Sequence, residues 1–573
     1  MIPLAETRES RSFNLLSFWG NPSPLDEWTK ECKQVVRSNQ VHLGRQISEH
    51  ARVSEVDRED LAEVLARRSL THDEARREAI DCRHAKGGRS ARENVEDLVD
   101  PGSFVEYGRF AIAAQRGRRE LDDLISNTPA DGLIGGTARI NGELFGERAA
   151  CAVLSYDYTV LAGTQGALGH RKKDRLFELI ERMRLPTVFF AEGGGGRPGD
   201  TDYPVVSALD TRAFALWAGL SGLVPRIAVV AGRCFAGNAV IAGCSDLIVA
   251  TENVSLGMGG PAMIEGGGLG KVDPDEVGPI AMQAANGVVD LVVADEAAAT
   301  AASKRLLGYF QGALPAGDAP DQATLRDAVP ERQRRAYAVQ PIVETLADAG
   351  SATFLRERFA PEMVTALIRI EGRPLGVIAN DTRHVAGAIT SDAADKAARF
   401  LQLCDAFDLP VLSLVDTPGM MVGPEAEATG LVRHASRLLL AGAALRVPLV
   451  AVILRRGYGL GAQAMTGGSM HEPLLTLAWP SAHLGPMGLE GAVRLALRKE
   501  LGEIADEAER EQRVRDLTAA AEENAKALNA AALFEIDDVI DPAETRGLIA
   551  STLAAAQAHQ GERSERRRYV DAW

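Results

Sequence analysis

Short apolar runs alternate with amphipathic segments along this chain from about residue 97 onward. The amphipathic segments place apolar residues at i, i+3, i+4 and i+7, the period of a helix with one buried face. Gly, Pro and Asn separate the two kinds of segment. This alternation predicts an α/β fold. The preceding residues 1–80 are polar with helix-like stretches such as Asp57–Arg68, so we expect a helical N-terminal arm there.

One helix-and-strand pattern occurs twice. KKDRLFELIERMRLPTVFFAEGG around Pro186 matches DKAARFLQLCDAFDLPVLSLVDTPG around Pro410. Lys172 aligns with Lys396 and Pro186 with Pro410, each pair 224 positions apart. The apolar faces of the two helices also keep the same phase: Leu176, Leu179, Ile180 and Met183 match Phe400, Leu403, Cys404 and Phe407. The pattern predicts that both helices pack in the same way and lead into equivalent buried strands.

A second match extends the repeat. VPRIAVVAGRCFAGNA, which ends at Ala239, aligns with VPLVAVILRRGYGLGA, which ends at Ala462, 223 positions later. Chance similarity between two α/β segments would not keep nearly constant spacing over several collinear matches. The repeat therefore predicts two homologous domains, residues 81–325 and 326–573, after the helical arm.

The charge balance narrows the possible partners. Asp and Glu number 79 against 63 Lys and Arg, giving a net charge of −16 and a pI near 5.3. A protein whose main partner is nucleic acid usually has the opposite balance, so no nucleic-acid partner is expected. An anionic ligand must instead be bound by local basic side chains or backbone N–H groups.

The six cysteines include no C-x-x-C pair, so we expect reduced thiols and neither a zinc ribbon, another metal site nor a disulfide framework. The N-terminal MIPLAETRESRSF has no basic segment followed by an apolar one, which argues against a signal peptide. The longest apolar runs, such as Pro448–Leu454, are too short to span a membrane. These features predict a cytoplasmic protein without a membrane partner.

The chemically distinctive segments are four glycine-rich turns, each following an apolar run: Glu192–Arg197 and Gly232–Ala239 in the first repeat, Asp416–Gly419 and Gly457–Ala462 in the second. A turn that opens a helix leaves backbone N–H groups unpaired, and such groups can bind a phosphate or a developing enolate oxygen. The alternative for any single turn is purely structural, namely a tight turn with close helix–strand packing.

Other catalytic signatures are missing from the sequence. It contains no P-loop, no G-x-S-x-G and no H-E-x-x-H. Three histidines are isolated: His170, His434 and His483. Oxyanion donors without an obvious acid–base pair suit enolate chemistry in which a cofactor supplies the base.

Several motifs together resemble a known family. LVDPGSFVEYG, GGGGR, LVDTPGMMVG, RRGYGLGAQAM and AWPSAHLGPMGLEGAV occur in the order found in the β-type carboxyltransferase subunits of biotin-dependent acyl-CoA carboxylases, which include propionyl-CoA carboxylases. The resemblance covers about residues 80–540. It implies two crotonase-like (ββα superhelix) domains and a hexamer built from three dimers. Biotin carboxylase and the biotin carrier would be other polypeptides, because this sequence has neither an M-K-M biotinylation site nor an ATP-binding carboxylase region.

The resemblance also implies residue roles. Backbone N–H groups of Gly194 and Gly195 would hold the thioester oxygen of acyl-CoA, and those of Leu460 and Gly461 the ureido oxygen of carboxybiotin. The remaining biotin-site candidates are neighbouring positions: Gly419, Met420, Gly459, Ala462 and Gln463. Because coenzyme A carries phosphates, we also expect local basic residues to bind it, and the candidates come from two clusters: Lys86, Arg89, Arg171 and Lys172.

This sequence departs from the family pattern at Gln463, where the family often has an Asp, and that position influences substrate choice in short-chain members. An acetyl or propionyl substrate is therefore in doubt, and the acyl length is open. The direction of the reaction is also open, since a biotin-dependent decarboxylase would share the fold. A non-catalytic subunit and a crotonase-type CoA hydrolase or hydratase are further alternatives. Intact glycine turns in both repeats argue against the former. The requirement of a hydrolase or hydratase for catalytic acidic or histidine side chains on its glycine turns argues against the latter.

Overall fold

The computed structural model describes residues 58–197, 199–203, 209–558 and 569–573. The strands are β1 Val105–Glu106, β2 Leu133–Arg139, β3 Ala150–Tyr156, β4 Thr187–Phe190, β5 Arg226–Val230, β6 Arg233–Phe235, β7 Leu247–Thr251, β8 Ser255–Gly257, β9 Leu291–Val293, β10 Thr353–Leu355, β11 Met363–Ile370, β12 Arg373–Asn380, β13 Val411–Thr417, β14 Leu449–Tyr458, β15 Leu475–Ala478, β16 His483–Gly485 and β17 Asp538–Val539.

The α-helices are α1 Glu59–Ser69, α2 Arg77–Ala85, α3 Ala91–Leu98, α4 Leu121–Asn127, α5 Gly142–Phe145, α6 Ala167–Met183, α7 Ala213–Gly219, α8 Gly237–Gly243, α9 Pro261–Gly266, α10 Ile280–Ala285, α11 Glu296–Gln311, α12 Gln340–Leu346, α13 Ser391–Ala406, α14 Pro424–Ala428, α15 Leu431–Ala443, α16 Gly459–Met465, α17 Leu489–Ala496, α18 Arg498–Glu503, α19 Glu507–Asn524, α20 Ala527–Ala532 and α21 Thr545–Ala558. Most of the predicted arm, residues 1–57, lies outside the described residues. Its end is helical, as α1 shows.

Two sheets have the same strand order, and this confirms the duplication. One runs β1-β2-β3-β4-β5-β7-β9 and the other β10-β11-β12-β13-β14-β15-β17, with β16 added beside the end of β14. In each sheet the first three strands pair antiparallel and the following ones pair parallel. We call the part of the chain that holds the first sheet the N-half and the part that holds the second sheet the C-half.

The duplication extends to backbone detail. Short 3₁₀ turns at Leu161–Gly163 and Val385–Gly387 each hold an alanine with left-handed φ, 53° in the first and 56° in the second. An isolated bridge joins Gln165 to Gly196 in the N-half, and another joins Ile389 to Met420 in the C-half. All these pairs are separated by the 224 positions found in the sequence repeat, so both halves build their turns on the same backbone plan.

The halves share a core. One buried apolar cluster combines N-half residues such as Leu247 with C-half residues such as Leu403, while two smaller clusters belong to single halves. Polar contacts cross the same boundary: Arg356 Nε lies 2.8 Å from Asp290 Oδ1. The predicted division at 325/326 falls within a 3₁₀ helix, Gln322–Asp327, and stays a prediction.

Most of the cysteines behave as expected. Cys151, Cys234, Cys244 and Cys404 are free thiols. Cys82 is disulfide-bonded, so the expectation that every thiol is reduced is wrong at this position. Among the described residues, no helix is both long enough and apolar enough to cross a membrane.

Candidate active sites

In the C-half, the turn after strand β13 lies against the start of helix α16. A Cβ atom at Gly461 would lie 2.6 Å from the carbonyl carbon of Gly419 and 3.0 Å from the nitrogen of Met420. Only glycine permits so close an approach. The structure thus brings together the predicted residues Gly419 and Met420 with Leu460 and Gly461.

The first turn of helix α16 presents backbone N–H groups. Tyr458 is the N-cap residue and makes no side-chain capping hydrogen bond. The N–H groups of Leu460 and Gly461 have no acceptor within the helix, because the first turn has no preceding carbonyls to accept them. The Leu460 side chain is 63% exposed, so this helix start faces solvent.

The other predicted residues of this site lie on the same helix. Gly459 has φ +57°, and a Cβ there would lie 2.8 Å from the Pro486 carbonyl oxygen, so glycine is required. Ala462 is buried and packs inward. Gln463 is exposed, so its side chain is free to influence a ligand that approaches this surface.

A buried carboxylate anchors the end of strand β13. Asp416 accepts from Arg455 Nε at 3.0 Å, from Arg456 Nε at 2.6 Å and from the Tyr337 hydroxyl at 2.8 Å. The Asp416 side chain is fully buried. Burial, reinforced by the charge of Asp416, raises the pKa of Tyr337, so the phenol remains a hydrogen-bond donor. The acid therefore holds the turn rather than acting on a ligand.

In the N-half, the predicted thioester donors lie on the turn Gly193–Gly196, which follows strand β4. Gly194 N–H donates to the Ala162 carbonyl at 3.1 Å. Gly195 N–H donates to Asn238 Oδ1 at 3.0 Å. Both N–H groups therefore already have acceptors within the chain, unlike the helix N–H groups of the C-half.

Asn238 belongs to a buried polar chain behind this turn. Its Nδ2 lies 3.4 Å from the carbonyl oxygens of both Gly163 and Glu192. Gln165 Nε2 donates to Asn238 Oδ1 at 3.2 Å, and Lys173 Nζ donates to Gln165 Oε1 at 2.6 Å. Lys173 is fully buried, and this burial lowers its pKa to about 7.

The acid before the N-half turn has a different partner from its C-half counterpart. Glu192 receives two bonds from the Arg83 guanidinium, at 2.7 and 2.6 Å. Arg83 also lies 3.2 Å from Glu296. Burial raises the pKa of Glu192, and the Arg83 charge opposes that rise. This network ties helix α2 to the start of the glycine turn.

Three predicted coenzyme A contacts lie at or near the surface but make contacts of their own. Arg89 Nη1 lies 2.8 Å from Asp97 Oδ2. Arg171 donates to the Tyr203 hydroxyl at 3.3 Å and stacks over that ring at 4.5 Å. Lys86 is exposed beside Arg89 in the chain. These side chains could meet a phosphate only by sharing or exchanging such partners.

Lys172 does not lie at the surface, and the structure contradicts its predicted contact with phosphate. It is 8% exposed, and its Nζ donates to the carbonyls of Leu133 and Gly108. Burial lowers its pKa to about 8. Its repeat partner Lys396 is caged in the same manner by three carbonyls, which makes both lysines parts of the fold.

Sequence reasoning missed the polar groups behind the N-half turn. A signal for Asn238 existed, because the aligned position in the second repeat is Gly461 and an amide interrupts a glycine-rich turn. Arg83, Gln165 and Lys173 gave no such signal, since charged and amide residues on helices are usually solvated.

Both halves thus place a glycine turn and a helix start at the carboxyl end of parallel strands. Preorganised backbone N–H groups in such a place can stabilise an oxyanion on a bound substrate. The fold and the paired sites define a protein of two crotonase-like domains.

Comparison with known proteins agrees with this assignment of the fold. Residues 82–570 match the family model described as the carboxyl transferase domain, and the chain belongs to this family. The 12S subunit of methylmalonyl-CoA carboxyltransferase from Propionibacterium freudenreichii subsp. shermanii is 32% identical over 83% of this chain and 90% of that protein. The β4 subunit of a biotin-dependent long-chain acyl-CoA carboxylase from Mycobacterium tuberculosis is 33% identical over 86% of this chain and 94% of that subunit.

Solved structures give the same result. A single-chain, multi-domain long-chain acyl-CoA carboxylase is 54% identical with a TM-score of 0.83. That match covers 87% of this chain but 49% of the other, so this chain spans about half of it. The transcarboxylase 12S structure with methylmalonyl-CoA and methylmalonic acid bound has a TM-score of 0.78 at 29% identity, over 91% of this chain and 99% of that one. This chain is a carboxyltransferase of the biotin-dependent acyl-CoA carboxylase type.

Proposed function

We propose that this chain moves a carboxyl group from carboxybiotin on a separate carrier to the α-carbon of a long-chain acyl-CoA. The observation that carries the proposal is the pair of equivalent turn-and-helix sites, one in each half. A transfer between two substrates develops negative charge on an oxygen of each, so two separate oxyanion sites match its needs.

The C-half site suits the biotin ureido group. Carboxybiotin would supply the carboxyl group as CO2, and the ureido nitrogen freed when that N–C bond breaks would be the base for the α-proton. The N–H groups of Leu460 and Gly461 would hold the ureido oxygen, and loss of one such donor typically costs about 3 kcal/mol in the transition state. A ligand can reach them because this helix start lies at the surface, where Leu460 is 63% exposed.

The N-half site would receive the thioester oxygen at the turn Gly193–Gly196. Gly194 and Gly195 remain the proposed donors. Each would share its N–H between the thioester oxygen and its present acceptor, which is the Ala162 carbonyl for Gly194 and the Asn238 side chain for Gly195. A shared N–H is a weaker donor, so the orientation of the turn matters more here than in the C-half.

A long acyl chain is the substrate class best supported. The long-chain acyl-CoA carboxylase is 54% identical, against 29% for the 12S transcarboxylase structure. Gln463, which is exposed on helix α16, stands where the family often has an Asp that influences substrate choice in short-chain members. Exposed Lys86, with Arg89 and Arg171, would hold the phosphates of coenzyme A.

The same relatives support a proposal for assembly. The transcarboxylase 12S structure shows hexamer assembly and substrate binding to a multienzyme core. We propose a homo-hexamer of three dimers for this chain, served by a biotin carboxylase and a biotin carrier in the cytoplasm. Pairing an N-half with the C-half of a partner copy would bring the two oxyanion sites face to face.

Reconstitution tests the function. The chain is mixed with biotin carboxylase, ATP, labelled bicarbonate, a biotinylated carrier and acyl-CoAs from acetyl to stearoyl. We expect label in the acyl-CoA product, rising with chain length toward the long members. Label found only in acetyl- or propionyl-CoA would overturn the substrate class, and label in none would overturn the transfer itself.

A further inference from the structure

We propose that Asn238, Gln165 and Lys173 form a positioning network that fixes the Gly193–Gly196 turn for the acyl-CoA half of the reaction. The inference rests on the proposed function. It concerns residues that the C-half lacks, because the aligned positions there are Gly461, Ile389 and Ala397.

The two glycine turns need different support. In the C-half the turn contains its own support. Gly419 N–H donates to Thr417 Oγ1 at 3.1 Å, and Pro418 restricts the backbone. In the N-half the positions of Thr417 and Pro418 are glycines, which leave the turn without intrinsic stiffness. Its stiffness must come from outside the turn.

Asn238 supplies that support. The N–H equivalent to that of Gly419 belongs to Gly195, and it donates to Asn238 Oδ1 at 3.0 Å. The Asn238 amide nitrogen lies 3.4 Å from the carbonyl oxygens of Glu192 and Gly163. One fully buried side chain thus bonds to the strand end, to the turn and to the facing 3₁₀ turn. A Cβ at Gly193 would lie 2.2 Å from the Gly163 carbonyl oxygen and 2.4 Å from the Asn238 amide nitrogen, so only glycine leaves room for these contacts.

Gln165 and Lys173 hold the asparagine in this orientation. Gln165 Nε2 donates to Asn238 Oδ1, which requires that Gln165 Oε1 face away, where Lys173 Nζ meets it at 2.6 Å. Gln165 also contacts the turn directly, because its backbone N–H donates to the Gly195 carbonyl at 2.7 Å. The three side chains are at most 4% exposed. A buried lysine needs an acceptor, and the acceptor of Lys173 is the same amide that bonds to Asn238.

The test compares two rates on one preparation. The first is carboxylation of the acyl-CoA that the wild-type protein uses fastest, which needs both halves. The second is decarboxylation of the carboxylated carrier without acyl-CoA, which uses the C-half site alone. The variants are Asn238→Gly and Gln165→Ile, which install the C-half residues, together with Lys173→Met and the Gln165→Ile/Lys173→Met double variant.

We expect the kcat of acyl-CoA carboxylation to fall at least about 10-fold in each variant, because a misdirected turn loses transition-state contacts. The KM for acyl-CoA should change less than about 3-fold, and the carrier-only rate less than about 2-fold. Since Gln165 and Lys173 act in series, the double variant should lose no more than the worse single variant.

Lys396→Met is the matched control, since it also removes a buried lysine but from the C-half cage. It should lower the melting temperature while leaving the ratio of the two rates unchanged. Equal falls in both rates, additive losses in the double variant, or a ratio change in the control as large as in Lys173→Met would each overturn the network. Its failure is distinct from that of the proposed function. Wild-type protein that carboxylates no acyl-CoA would overturn the proposed function, and the inference with it.

Discussion

The two halves share a backbone plan but stabilise their glycine turns by different means. The equivalent N–H groups of Gly195 and Gly419 both donate to a side-chain oxygen. In the C-half that oxygen belongs to Thr417, two residues earlier, whereas in the N-half it belongs to Asn238, which lies 43 positions later. The comparison shows that duplication preserved where each N–H group points, while the side chains that satisfy it diverged.

The acids that precede the turns differ in the same way. Asp416 is held by Arg455 and Arg456 from the adjacent strand β14. Glu192 is held by Arg83 from helix α2, and that arginine has Glu296 as a second carboxylate. The C-half acid therefore takes its arginine partners from its own sheet, and the N-half acid takes its arginine partner from outside the sheet.

The largest expected effect is a difference in unfolding free energy between variants of Asp416 and of Glu192. Asp416→Asn leaves the buried guanidinium of Arg455 and the partly buried one of Arg456 without their carboxylate, and breaking a buried pair costs about 3–5 kcal/mol of unfolding free energy. Glu192→Gln should cost less, because Glu296 still compensates Arg83. Urea denaturation of the assembled protein measures the loss of unfolding free energy in each variant. Equal losses would show that Glu296 does not share the charge of Arg83.

The next effect tests whether each oxyanion site belongs to one half. Leu460→Pro deletes one backbone N–H and should slow carboxyl transfer by about 100-fold or more. It should also abolish decarboxylation of the carboxylated carrier, which the N-half variants spare. Leu460→Ala keeps the N–H and serves as the control. A correctly assembled Leu460→Pro protein with normal transfer would place the donor elsewhere, at Gly419 or Met420.

A smaller effect concerns the buried lysines of the repeat. Burial lowers the pKa of Lys396 to about 7, so above that pH the folded protein has released a proton that the unfolded chain still binds. The unfolding free energy should therefore rise with pH by up to about 1.4 kcal/mol per unit from this group, between pH 7 and 8.5. Below pH 7 both states bind the proton and the rise ends.

Lys396→Met should remove that rise. Unfolding midpoints at pH 7.0, 7.5, 8.0 and 8.5, compared with the wild type, measure it. In the N-half, burial lowers the pKa of Lys172 to about 8, so the slope lost in Lys172→Met should begin about one unit higher. Parallel curves for wild type and both variants would show that the lysines remain charged in the folded protein.

The smallest effect concerns coenzyme A. Reversing charge in Lys86→Glu/Arg89→Glu should raise the KM for acyl-CoA about 5-fold at low salt and leave carrier affinity unchanged, because exposed charges contribute about 1 kcal/mol. Lys271→Glu, at another exposed position of the N-half, is the control. An unchanged KM at low salt would remove residues 86–89 from the site.

The sequence by itself determined the duplication, the α/β class and the four glycine turns. The helical period around Leu176 and Phe400 and the constant 224-residue spacing are local or collinear properties, and the structure reproduces both as equivalent helices and bridges. The resemblance then pointed to the family, which the comparisons confirm. The site roles of Gly194, Gly195, Leu460 and Gly461 stay predictions.

Only the tertiary structure decided which polar groups are buried and hydrogen-bonded within the protein. Lys172 lies in a basic cluster of the sequence, which predicts a surface cation, yet it is buried and its Nζ donates to the Leu133 carbonyl at the start of strand β2. Asn238 reaches Gly195 across 43 positions, and Arg83 reaches Glu192 across 109. Local patterns set the backbone because turns and helices depend on near neighbours. The partner of a buried polar group depends on which distant residue arrives beside it, since an unpaired group there would be too costly to keep.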